Sequence, residues 1–184
     1  MRQQLFRLVV DRSASAAAEM ALVSPVLIAL LFGSLELGNY FLDQHALEKQ
    51  VRDGARFAAR MELDSATYSC PGSVFIDPDA DDKIINVTKT GAVSGAGNPR
   101  WTDYWDRNCP GVAQTVTVAL TCVDKDEIDT PADGFTGIYT ELDGDIPVVT
   151  VSAAVRYRSI LSSLGFDTTS RCLRAESKAA VTGL

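Results

Sequence analysis

Histidine is almost missing from this chain. His45 is its one copy in 184 residues. A lone helical histidine beside Gln44 has no second ligand or acid to work with, and both catalysis and metal binding need partners. No serine, cysteine or carboxylate pair carries a base beside it that the sequence can show, so no enzyme is read. Clustered positive charge is missing too. Seventeen Lys and Arg are scattered among 24 Asp and Glu, the formal charge is -7, and no basic patch with interleaved aromatics occurs, which argues against nucleic acid. Cysteine is scarce. The four copies, Cys70, Cys109, Cys122 and Cys172, match no zinc spacing. There is no internal repeat, and neither a cofactor nor a metal is read from the residues.

What the chain does have is a long apolar run near its start. From Ala14 to Leu35 there are 22 residues whose sole charge is Glu19, and a bilayer core of about 30 Å takes about 20 helical residues to cross. The helical pattern then continues through Glu36, Leu37, Tyr40, Phe41, Leu47, Val51, Ala55, Ala58 and Met61, with no break before Asp64. A single helix over Ser15 to Leu63 would measure about 73 Å. Pro25 removes one of its hydrogen bonds and kinks or locally opens it. Gly38 and Gly54 weaken it, yet let another backbone come close. Arg2, Arg7 and Arg12, offset by Asp11 alone, predict a cytoplasmic N-terminus. A cleaved signal peptide also begins with a basic stretch and an apolar core, but gives no reason for the amphipathic continuation. The chain therefore divides into a cytoplasmic leader (1–14), a transmembrane helix (15–35), its amphipathic continuation (36–63) and a β-rich head (64–184) on the outer side.

The head changes to turn formers and β-branched residues. Ser69-Cys70-Pro71-Gly72 reads as a turn, followed by short strands at Val74–Ile76 and Lys83–Lys89, then a loop over 90–112. Strict alternation predicts strands at Thr115–Cys122, Val148–Arg158 and Arg171–Val181, the first two joined by an acidic connection and the last two by a loop over Ser162–Thr169. Val149, Val151, Ala153, Val155 and Tyr157 share one phase, and Leu173, Ala175, Ser177, Ala179 and Val181 share another. Three half-buried strands imply an antiparallel sheet with one face on water. The second half of the long helix is the nearest cover, so the fold class is α+β.

On the outer side the cysteines are expected to form two disulfides. Shorter loops favour Cys70 with Cys109 and Cys122 with Cys172, while the other two pairings stay open. Cys122 lies on the inward phase of its strand and Cys172 falls out of phase with Leu173, so that pair would need a strand end or bulge. Asp77-Pro-Asp79-Ala-Asp81-Asp82 has the spacing that opens a calcium loop, but Asp82 and Thr88 stand where such a loop wants Gly and Glu. A solvated acidic turn is the preferred reading. Trp101, Tyr104 and Trp105 are a contact loop, read as buried or subunit-facing in preference to adhesive.

Small residues, Glu19, Ala21-Leu22-Val23, Pro25, the apolar run, Glu36-Leu37-Gly38, and Val51-Arg52-Asp53-Gly54-Ala55-Arg56-Phe57-Ala58-Ala59-Arg60 together resemble the TadE-like minor pilins of the tight-adherence (Tad) pilus. The likeness covers residues 13 to 60 well and the last strands loosely. It implies a pilin-like fold and a minor pilin or pseudopilin that helps initiate, cap or assemble a Tad-type (type IVc) pilus for adhesion or secretion. It also implies a single-pass inner-membrane protein with a periplasmic head, extracellular once in a pilus. Its expected partners are other pilin subunits, the inner-membrane assembly machinery, a prepilin peptidase and the membrane. Carried over, the family's glutamate at mature position five is Glu19, which puts cleavage between Ala14 and Ser15. Ala14 stands where the family has glycine, and Met20 where it has an aromatic. The alternatives are an accessory membrane anchor outside the filament and a pilus-associated adhesin working through Trp101 to Trp105.

Glu19 has a physical logic of its own. An ionised carboxylate in hydrocarbon costs a few kcal/mol and wants a partner or a proton. A neighbouring subunit's α-amino group at Ser15 would supply the partner and set register, which is preferred to a side chain that merely reaches the headgroups.

Overall fold

A computed structural model describes residues 12–61, 68–70, 72–75, 77–97, 105–124, 139, 145–165 and 170–183. Two compact units emerge, Met1–Phe41 with Ser159–Phe166, and Leu42–Arg158 with Asp167–Leu184.

Helix α1, Arg12–Ala59, belongs in part to each unit. It stays helical through Pro25. In the first unit its large apolar residues are exposed, Leu22 at 78% and Leu30 at 65%. The helix is long and apolar enough to cross a membrane. In the second unit Leu47, Val51, Ala55 and Ala58, spaced four, four and three apart, are each at most 1% exposed. That spacing makes one buried stripe. The helix ends at Ala59, short of the expected Leu63. Thr182 explains the stop: its N–H and hydroxyl both donate to the Ala59 carbonyl, at 2.8 and 2.9 Å. Arg60 and Met61 then form tight turns back to the Phe57 and Ala58 carbonyls.

Within the second unit, strands β1 (Tyr68–Ser69) and β2 (Val74–Phe75) pair antiparallel, so the turn containing Cys70 joins a small hairpin. The main sheet is antiparallel, with β4 (Ile146–Arg156) between β3 (Val116–Val123) and β5 (Cys172–Ala180). These strands lie within two residues of the expected bounds. Val149, Val151, Ala153 and Val155 of β4 are buried, as are Leu120 of β3 and Leu173 of β5, while Thr117, Ala119 and Thr121 are exposed. The dry and wet faces are those the alternation predicted. Gln44 Nε2 donates to the Arg174 carbonyl at 2.9 Å, and Thr182 closes on Ala59. From 44 to 59 a helix rises about 22 Å, and from 174 to 182 a strand advances about 26 Å. The matched lengths run α1 alongside β5 in the same direction.

Two expectations fail here. Lys83–Lys89 is not a strand but the body of helix α2, Ala80–Thr90. Its β-branched residues suggested a strand, yet Ala80, Ile84 and Thr88 recur every four residues and all are fully buried. Asp81 and Asp82 sit in the first turn, Lys89 in the last, and Gly91 caps the end at φ 79°. Charge placement and the left-handed cap outweigh β propensity. The 90–112 stretch is not all loop either: Asn108 bridges to Val155, and the Arg156 N–H donates to the Arg107 carbonyl, prolonging the sheet beyond β3.

Gly54 is where α1 and α2 meet. A Cβ placed there would overlap Thr88 Oγ1 and lie 3.2 Å from Thr88 Cβ. Thr88 cannot yield freely, because its hydroxyl donates to the Ile84 carbonyl at 2.8 Å. Gly54→Ala is therefore expected to lower stability by about 1–3 kcal/mol, the usual range for overpacking. Thermal melting checks it, and adding Thr88→Ala is expected to recover part of the loss.

Candidate functional site

The features that could carry function lie along α1. Ser15 and Glu19 are both exposed and four residues apart, hence on one face, a turn from each other. Met20, Leu22, Val23, Val26 and Leu27 follow, all large apolar side chains at 48% exposure or more. A single carboxylate is thus set into an apolar surface. Ala14 lies within the helix beside Ser15, and Pro25 lies six residues beyond Glu19.

Glu36 received no role from its sequence position beyond the family resemblance. Its Oε2 accepts hydrogen bonds from the Ile160 and Leu161 N–H groups at 3.0 and 3.3 Å. These are the opening residues of a short 3-10 helix, Ile160–Leu164, in the same unit. No local pattern could show it, since the partners are 124 and 125 residues apart.

The cysteines form two disulfides, but not in the expected pairing. Cys70 bonds Cys122 across 52 residues and Cys109 bonds Cys172 across 63, with Cα atoms 5.7 and 6.0 Å apart. Closure entropy was a weak guide, because lengthening the loops from 39 and 50 residues adds only about half a kcal/mol in total. Register decides instead. Cys122 stands opposite Pro147 near the end of β3, while Cys172 stands opposite Arg156 at the start of β5. Opposite ends of antiparallel neighbours flanking β4 keep them apart.

Trp105 is 6% exposed and Cys109 2%; Trp101 and Tyr104 lie outside the described residues. The acidic run from Asp77 serves the start of α2. Asp77 accepts from the Lys83 ammonium at 2.8 Å and from the Asp79 N–H at 3.0 Å. The Lys83 hydrogen bond, then that N–H, hold its carboxyl below the ordinary carboxylate value. His45 Nδ1 is 3.5 Å from Glu48 on the exposed helix surface.

No curated protein and no solved structure matches the chain. A family model described as TadE-like protein matches residues 14–56. The matched stretch takes in Ser15, Glu19, Pro25, Glu36 and Gly54, and leaves the sheet outside it.

Proposed function

We propose, from the premise that this is a TadE-like protein of the Tad pilus system, that it acts as a minor pilin or pseudopilin in initiating, capping or assembling the pilus. The observation that carries this reading is the division of labour along α1. One stretch exposes an apolar surface bearing one carboxylate, and another is the buried stripe of a disulfide-linked head. A simple anchor needs the first stretch but gives no role to a charge one turn from its start. In the pilin reading the 15–35 segment spans the inner membrane, residues 1–14 face the cytoplasm, and the head lies in the periplasm until it joins a filament. Glu19 then pairs with the α-amino group at Ser15 of an adjoining subunit. Other pilin subunits, the assembly machinery and a prepilin peptidase are the partners.

Processing is the direct test. In pilus-producing cells the mature protein is expected to begin at Ser15, and mass spectrometry of its N-terminal peptide checks this. The four charges of the leader, Arg2, Arg7, Asp11 and Arg12, would leave with it, taking the formal charge from -7 to -9. Met1 still attached to the surface-exposed protein would count against the processed-pilin reading.

A further inference from the structure

From Ser159 to Phe166 the chain carries no charged side chain, although 22% of its residues are Asp, Glu, Lys or Arg. Within that stretch Ile160–Leu164 coil into the 3-10 helix, with extended Ser159 before it and Gly165 at φ 91° after it. The opening N–H groups of a helix have no carbonyl inside it to accept them. Here both go to one oxygen of Glu36. Ile160 nonetheless keeps 52% of its surface exposed, for a residue type that is usually buried.

The height of this contact along α1 gives it meaning. Residue 36 follows directly on the 15–35 run, whose length matches the hydrocarbon core. A loop fastened there sits at the boundary where that run would leave lipid. Leu37 and Phe41, at 55% and 52% exposure, carry apolar surface further along the same helix. An uncharged loop with an outward isoleucine suits the interfacial zone, where apolar side chains enter and backbone polar groups remain satisfied.

We propose that the Ile160–Leu164 helix is a membrane foot, held by Glu36 at the outer headgroup boundary so that Ile160 enters the lipid interface. The inference rests on the reading of 15–35 as a membrane span. It gives the protein a second lipid contact, from a loop between β4 and β5, and makes Glu36 a positioning residue.

The test uses the full chain in phosphatidylcholine vesicles, its native cysteines kept oxidised. An environment-sensitive fluorophore is attached through Leu27→Cys, Ile160→Cys or Thr117→Cys, and lipid nitroxides at shallow or deep acyl positions serve as quenchers. The label at 160 is expected to shift to the blue and lose intensity mainly to the shallow nitroxide, that at 27 mainly to the deep one, and that at 117 to neither. Glu36→Ala is expected to abolish quenching at 160 while sparing 27. Glu36→Gln, whose amide oxygen still accepts both N–H groups, is expected to retain it. Quenching at 27 without quenching at 160 overturns the foot and leaves the span standing, including when a second copy of the chain shields 160 instead. Absence of quenching at 27 overturns both, and unchanged quenching at 160 in Glu36→Ala overturns the role of Glu36.

Discussion

Glu19→Ala is expected to reduce surface pili by about tenfold or more while leaving the amount of protein in the membrane fraction unchanged. The size follows from where the charge sits. A carboxylate in an apolar segment carries a penalty of a few kcal/mol that a cationic partner relieves, and about 1.4 kcal/mol is already tenfold in an equilibrium. Alanine removes the penalty along with the partner, so insertion does not suffer. In the proposed pilin reading, what is lost is the interaction that favours one axial register over its neighbours. Glu19→Gln keeps the shape and discards the charge, and is expected to resemble alanine; Glu19→Asp, shorter by one methylene, is expected to fall between. Electron microscopy and immunoblots of sheared pili against membrane fractions separate these outcomes. Normal piliation in Glu19→Ala would favour a side chain that only reaches the headgroups.

Removing either cystine is expected to destabilise the head by about 4 kcal/mol, the chain-entropy value for loops of this length. Against a typical domain stability of about 5–15 kcal/mol, one loss is severe and both together leave little folded protein. Cys70→Ser with Cys122→Ser frees the β1–β2 hairpin from the end of β3. Cys109→Ser with Cys172→Ser frees the segment around Trp105 from the start of β5. Urea denaturation of each double variant measures the cost. Peptide mapping without reduction is expected to recover 70 linked to 122 and 109 linked to 172; a 70–109 peptide would contradict the pairing.

The helix and the three long strands were legible because each has a period that burial enforces. Leu47, Val51, Ala55 and Ala58 mark a helical stripe, and Val149 to Val155 mark every second residue of a strand. Helix α2 was misread because Ile84, Ile85 and Val87 are β-branched, and only the four-residue recurrence of Ala80, Ile84 and Thr88 with the glycine cap betrays it. The disulfide pairing turns on strand register, which places Cys122 and Cys172 at opposite ends of the sheet and which closure entropy barely senses. Of the candidate site, Glu19 stood out as a charge in an apolar run. Glu36 did not, because its partners come from a loop 124 and 125 residues later. Gly54 was recognisable as a place of close approach, though its neighbour Thr88 lay in a segment read as strand.

The carbonyl that ends α1 is met by Thr182, 123 residues downstream, and this bears on the order of folding. In a chain delivered from its N-terminus, Ala59 emerges early and waits for almost the whole of the head before Thr182 can reach it. Cys122 arrives well before Cys172, so the bond to Cys70 can form while β5 is still absent, whereas the bond to Cys109 must wait for Cys172, the first residue of that strand. Oxidation in this order would trap the hairpin against β3 first and seal the sheet last, making the final strand the step that closes the head onto its helix.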